Sequence, residues 1–129
     1  MRKNFQQVVC FALFFCMSGC NNMSESVSPD GQVIAQLKLA GSNLSKEHPI
    51  EFFIYAPTKE SANEIAGTIA AQGFKGSVEK AASKNSWLVY SVKNIVPTED
   101  RMRKIRASLN AVASSVGGEY DGWGTPIVK

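Results

Sequence analysis

Ile50-Glu51-Phe52-Phe53-Ile54-Tyr55-Ala56-Pro57-Thr58 changes its period partway along, and that change decides the fold. Over Ile50 to Ala56 the side chains alternate, with Ile50, Phe52 and Ile54 pointing one way and Glu51, Phe53 and Tyr55 the other. A period of two marks a strand, and apolar character on both sides marks a central one. Pro57-Thr58 then opens a helix in which Ala62, Ile65, Ala66 and Ile69 form one stripe, with Gly73 as its stop.

Toward the C-terminus the same strand-to-helix unit recurs. Phe74 to Ala81 is a weaker strand, bounded by the turn residues Ser83-Lys84-Asn85, and Trp87 to Val92 is a stronger one. Pro97-Thr98 starts a second helix carrying Met102, Ile105, Leu109, Val112 and Val116 at helical spacing, and Gly117-Gly118 stops it. Glu119-Tyr120-Asp121 reads as a short last strand, followed by Gly122-Trp123-Gly124. Toward the N-terminus, Asp30 is placed to cap a short helix from Gly31 to Ala40, with Val33, Leu37 and Ala40 along one side and Gly41 beyond it. Ser42 to Pro49 is a loop. The order βαββαβ predicts an α+β fold of the ferredoxin-like type, a split antiparallel sheet with two helices on one face and an extra short helix in front. Alternation assigns Ile50, Phe52, Ile54, Leu88, Tyr90 and Val92 to the helix-covered face, and Phe53, Tyr55, Trp87 and Val89 to the other.

The first residues predict an address. Arg2 and Lys3 precede an apolar run from Val8 to Met17, and Met17-Ser18-Gly19 leads into Cys20. A basic start, a short apolar stretch and small residues before a cut site read as an export signal. A spanning helix needs roughly 20 apolar residues, about twice what is present. Small residues directly before a cysteine resemble the lipobox of bacterial lipoproteins, although Met17 stands where leucine is usual. That resemblance implies cleavage after Gly19 and a diacylglyceryl thioether on Cys20, against the plainer readings of an uncleaved anchor or an ordinary secretory signal. The expected organisation is a signal peptide over residues 1–19, a polar, flexible tether over 20–29, an N-terminal helix and loop over 30–47, and a compact domain over 48–126. Asn21 is not the aspartate that often marks inner-membrane retention, so the expected location is the periplasmic face of the outer membrane.

Losing Arg2 and Lys3 lowers the basic count from 14 to 12 against 11 acidic residues, taking the net charge from +3 to +1. The apparent basicity thus belongs to the signal and says little for a polyanionic partner. The same cut removes Cys10 and Cys16, and lipid occupies Cys20, so no disulfide framework is expected. With one histidine, a His/Cys metal cluster is excluded, and neither a cofactor nor a catalytic residue is expected.

The main candidate for function is the second sheet face, where Phe53, Tyr55 and Trp87 are expected to form one aromatic patch. RNA-recognition modules stack bases on aromatics at corresponding places. Here no basic, glycine-containing run surrounds Trp87, and phosphate binding calls for a basic stripe that a near-neutral chain lacks. The alternatives are a protein or peptide contact, or a face covered by the N-terminal helix, the Trp123 segment or a second subunit. The cluster Arg101, Arg103, Lys104 and Arg106 reads as a self-paired helix face, because Glu99 and Asp100 stand four residues before Arg103 and Lys104. Glu119 and Asp121 beside Tyr120 and Trp123 suggest, remotely, an enzyme acting on saccharide or peptidoglycan fragments. His48 reads as a solvent-exposed loop residue.

Gly118-Glu119-Tyr120-Asp121-Gly122-Trp123-Gly124-Thr125 resembles the RraB family, regulators of ribonuclease E activity. So do His48 to Thr58, Leu44-Ser45-Lys46 and Gly73-Phe74, and the likeness spans roughly residues 30 to 126. It implies a compact ferredoxin-like domain and a non-catalytic activity, binding an endoribonuclease and inhibiting or remodelling its complexes. Members of the namesake type are cytoplasmic and strongly acidic; this chain is near neutral and carries an export signal that would keep it from ribonuclease E. Two functions follow. One is a lipid-anchored envelope protein that binds another protein, with Phe53, Tyr55, Trp87, Tyr120, Asp121 and Trp123 as the contact candidates. The other is a cytoplasmic ribonuclease E regulator whose N-terminus only looks like a signal.

Overall fold

The computed structural model describes residues 28–82 and 85–129. Cys20 and the expected signal and most of the expected tether lie outside the described residues. The order is α1 (Pro29–Leu39), β1 (His48–Ala56), α2 (Lys59–Ala70), β2 (Lys75–Lys80), β3 (Trp87–Ile95), α3 (Glu99–Ser114) and β4 (Glu119–Gly124). The strands form one antiparallel sheet in the order β2-β3-β1-β4, the split ferredoxin-like arrangement.

Local chemistry sets the helix ends. Thr58 accepts from the Ser61 N–H while Ser61 Oγ accepts from the Thr58 N–H, a reciprocal cap that satisfies two otherwise orphaned donors at the start of α2. Thr98 caps α3 through the Arg101 N–H. At α1 the expectation is corrected: Ser28, not Asp30, is the cap, accepting from the Gly31 N–H at 3.0 Å, and Pro29 takes the first helical position. Asp30 is thereby freed for another task.

The core lies between the sheet and the helices. Ile50, Phe52 and Ile54 from β1, Ala62, Ile65 and Ile69 from α2, and Met102, Leu109 and Ala113 from α3 form it. Val33 and Leu37 of α1 belong to the same core. Phe52 meets Phe74 edge-on, with ring centroids 5.3 Å apart.

On β3 the sequence reading has the faces reversed. Tyr55 pairs with Leu88, Phe53 with Tyr90 and Glu51 with Val92, whereas Ile54 pairs with Val89, Phe52 with Ser91 and Ala56 with Trp87. Leu88, Tyr90 and Val92 therefore stand on the face away from the helices, and Trp87 and Val89 on the helix side. A one-residue change of phase moves every side chain to the other face. The polar residues that obscured the phase are satisfied where they are. Ser91 Oγ donates to the Lys75 carbonyl at 2.9 Å, and Lys93 lies over the Phe74 ring and donates to the Gln72 carbonyl.

His48 also departs from expectation. It is fully buried in β1, not exposed in a loop. Its Nδ1 donates to the Lys46 carbonyl at 2.9 Å, which leaves Nε2 to accept from Ser42 Oγ at 2.7 Å. Ser42 Oγ also accepts from the Val128 N–H, so the imidazole ties the 42–48 loop to the C-terminal segment.

Candidate functional site

The face away from the helices is ordered in rows by the sheet register. Glu119, Tyr55, Leu88 and Glu79 make one row across β4, β1, β3 and β2. Gly122, Phe53, Tyr90 and Ser77 make the next, and Gly124, Glu51, Val92 and Lys75 the third. At the centre, Phe53 and Tyr90 stand with ring centroids 5.6 Å apart and planes tilted by 52°. A Cβ placed at Gly122, the β4 partner of Phe53, meets nothing within 4 Å. Phe53, Tyr55, Leu88, Tyr90 and Val92 are all partly exposed, and Glu79, Glu119 and Asp121 are exposed.

A bulge sets the position of Asp121. Phe53 pairs with Gly122 and Ile54 with Tyr120, which leaves Asp121 as the extra residue of β4. Gly122 has φ +130°, a conformation L side chains rarely adopt, and so supplies the backbone freedom the bulge needs. Asp121 acts electrostatically on Tyr55: burial first, then this carboxylate, raises the Tyr55 pKa. Burial, then the Glu51 and Glu79 carboxylates, pushes the Tyr90 hydroxyl up to about 12, and that hydroxyl donates a hydrogen bond to Glu51. The rings thus keep their protons on an acidic surface.

The other expected site residues lie across the sheet. Trp123 pairs with Phe52, is only 6% exposed, and donates from Nε1 to Asp30 Oδ1 at 3.1 Å. Arg106 Nε donates to the second Asp30 oxygen at 2.8 Å, and Asp30 is only 2% exposed. Tyr120 is on this side too, its hydroxyl buried without a hydrogen-bond partner among the described residues. Burial, with Asp30 second, raises its pKa. Trp87 is held between Lys59 and Lys80, each ammonium 5.5 Å from its ring. Of the six expected contact residues, the structure brings Phe53, Tyr55 and Asp121 together and separates Trp87, Tyr120 and Trp123 from them. Sequence reading missed Tyr90, Leu88 and Val92, and the role of Asp30. The signal for Asp30 was Ser28-Pro29, a cap and first-turn pair placed just before it.

Two of the covers foreseen for this face, the N-terminal helix and Trp123, are not on it. The α1 helix packs on α3, and Trp123 points into the core. The basic cluster is self-paired in part: Asp100 meets Lys104 as expected, Glu99 does not meet Arg103, and Arg101 donates to the Val96 carbonyl. Asp100 holds both Arg103 and Lys104, Arg106 goes to Asp30, and Glu99 accepts from Ser28 Oγ at 2.6 Å. Glu119 pairs with Tyr55 across β4 and β1, and Asp121 acts on the same ring electrostatically. Among the described residues, no group of three or more His, Cys, Asp and Glu is placed to hold a metal ion. No described helix is long and apolar enough to cross a membrane.

A ferredoxin-like sheet with helices on one side and an acid-edged aromatic surface on the other makes this a small α+β module. The family model described as Regulator of ribonuclease activity B matches residues 28–125, from the α1 cap through β4, and the chain belongs to that family. No curated protein matches the chain. Within the Tyr120-to-Gly124 run, Trp123 and Gly122 serve the fold, whereas Asp121 faces outward beside Tyr55.

Proposed function

We propose that the chain is a non-catalytic, protein-binding regulator that docks its partner on the open sheet face and is presented from a membrane by lipid on Cys20. Family membership over residues 28–125 supports the regulatory, protein-binding part. The observation that carries the docking site is the exposure of Phe53, Tyr55 and Tyr90 on a face to which no described helix contributes cover. The address rests on the sequence alone: Arg2 and Lys3, the apolar run, and Ser18-Gly19-Cys20. In this reading the domain sits in the cell envelope, on the periplasmic face of the outer membrane.

Family membership also favours a second reading, a cytoplasmic regulator of ribonuclease E. Growth with radiolabelled palmitate followed by fractionation distinguishes the two. The lipid-anchored reading expects label in the membrane fraction and its loss in Cys20→Ser. An unlabelled chain that retains its initiator methionine and slows RNA cleavage by purified ribonuclease E would establish the second reading instead.

A further inference from the structure

We propose that the open face receives a cationic segment of the partner, with arginine or lysine side chains reaching carboxylates on both sides of an aromatic and aliphatic centre. The inference deepens the docking reading above and rests on it.

The charge on this face does not follow from the composition. The whole chain has 14 basic residues against 11 acidic ones, yet among the described residues the strands place Glu51, Glu79, Glu119 and Asp121 on this face against Lys75 alone. No described cation lies within salt-bridge distance of those four carboxylates. Lys80 and Lys59 are turned onto Trp87 on the other side, and Lys93 is turned onto Phe74. An anionic partner, whether nucleic acid or acidic lipid, is repelled by such a surface. A cation is drawn to it.

The rows also set a spacing. Glu119 and Glu79 close the two ends of the row whose middle is Tyr55 and Leu88. Three strand spacings of ~4.8 Å put them about 14 Å apart. An extended peptide places residues i and i+4 on one side at about the same separation, with residue i+2 between them. Basic residues at i and i+4 therefore reach Glu119 and Glu79, while an apolar residue at i+2 lies over Tyr55 and Leu88. Guanidinium groups suit the site best, because they pair with carboxylates through two hydrogen bonds and also stack on the rings of Phe53 and Tyr90.

The test uses the full chain in detergent and a fluorescent peptide repeating Arg-Ser-Leu-Ser, with a Gln-Ser-Leu-Ser peptide beside it, in an anisotropy titration at low salt. The arginine peptide is expected to bind at least about tenfold tighter than the glutamine peptide. Glu79→Gln, Glu119→Gln and Asp121→Asn combined should remove about that tenfold. Glu60→Gln, Glu64→Gln and Glu99→Gln combined, an equal charge change at exposed positions on α2 and α3, should leave it. Equal binding of the two peptides, or equal weakening by the two triple variants, overturns the cationic assignment. If the glutamine peptide binds as well and Phe53→Ser/Tyr90→Ser releases both, the face is a docking site for a neutral segment and only this inference falls. If neither peptide binds, or that double variant retains both, the docking reading falls with it. Circular dichroism of each variant separates lost binding from lost folding.

Discussion

At the scale of single residues, the open face is a set of hydroxyls and carboxylates that restrain one another. Tyr90 is the clearest case, since burial, Glu51 and Glu79 push it up to about 12 while an unfolded tyrosine titrates near 10. Tyr55 and Tyr120 are raised as well, and these are the three tyrosines of the chain. A raised folded-state pKa means that above about pH 10 the unfolded chain gives up protons the native chain keeps. Stability from this source is fully present below pH 10 and is lost as the pH climbs through about 12. In absorbance near 295 nm the native chain at about pH 11 should show much less than half of its phenolate signal, and the denatured chain most of it. Equal signals in the two states would mean that the carboxylates and rings are not packed as described.

At the scale of elements, much of the architecture was legible and one phase was not. Both large helices announced their starts at Pro57-Thr58 and Pro97-Thr98, and Thr58 and Thr98 are their caps. Strand β1 showed its core face because Ile50, Phe52 and Ile54 are uniformly apolar. Strand β3 misled for a physical reason: its inward positions include Ser91 and Lys93, whose polar atoms find backbone carbonyls at the β2 and α2 edge. Its outward positions, Leu88, Tyr90 and Val92, are the more apolar set. A partly exposed apolar patch copies the pattern of a core. The attachment of α1 was equally hidden, because it depends on a buried carboxylate meeting Trp123 and Arg106, which are far away in sequence. Asp30→Ala should cost about 2–4 kcal/mol in a denaturant titration, since it leaves a buried indole N–H and a partly buried guanidinium without their acceptor. Asp30→Asn, which keeps an acceptor but not the charge, should cost less. A loss under about 0.5 kcal/mol for Asp30→Ala would show that α1 is held by Val33 and Leu37 alone.

At the scale of the whole molecule, the two faces of the sheet divide the work. One face, with the three described helices, Trp123 and Trp87, holds the domain together; the other carries Phe53, Tyr55, Tyr90 and the acidic edge, the surface proposed above for a partner. The family resemblance was strongest at Tyr120 to Gly124, but a run so specific is mostly fold: an indole anchored to Asp30 and a glycine at a bulge. Function is better sought one strand away. The most direct measurement is site-specific photocrosslinking in intact cells, with a photoreactive phenylalanine analogue introduced in turn at Phe53, Tyr90 and Trp87. The account predicts a discrete protein adduct from Phe53 and from Tyr90 and none from Trp87. An adduct from Trp87 alone, or from none of the three, would contradict it.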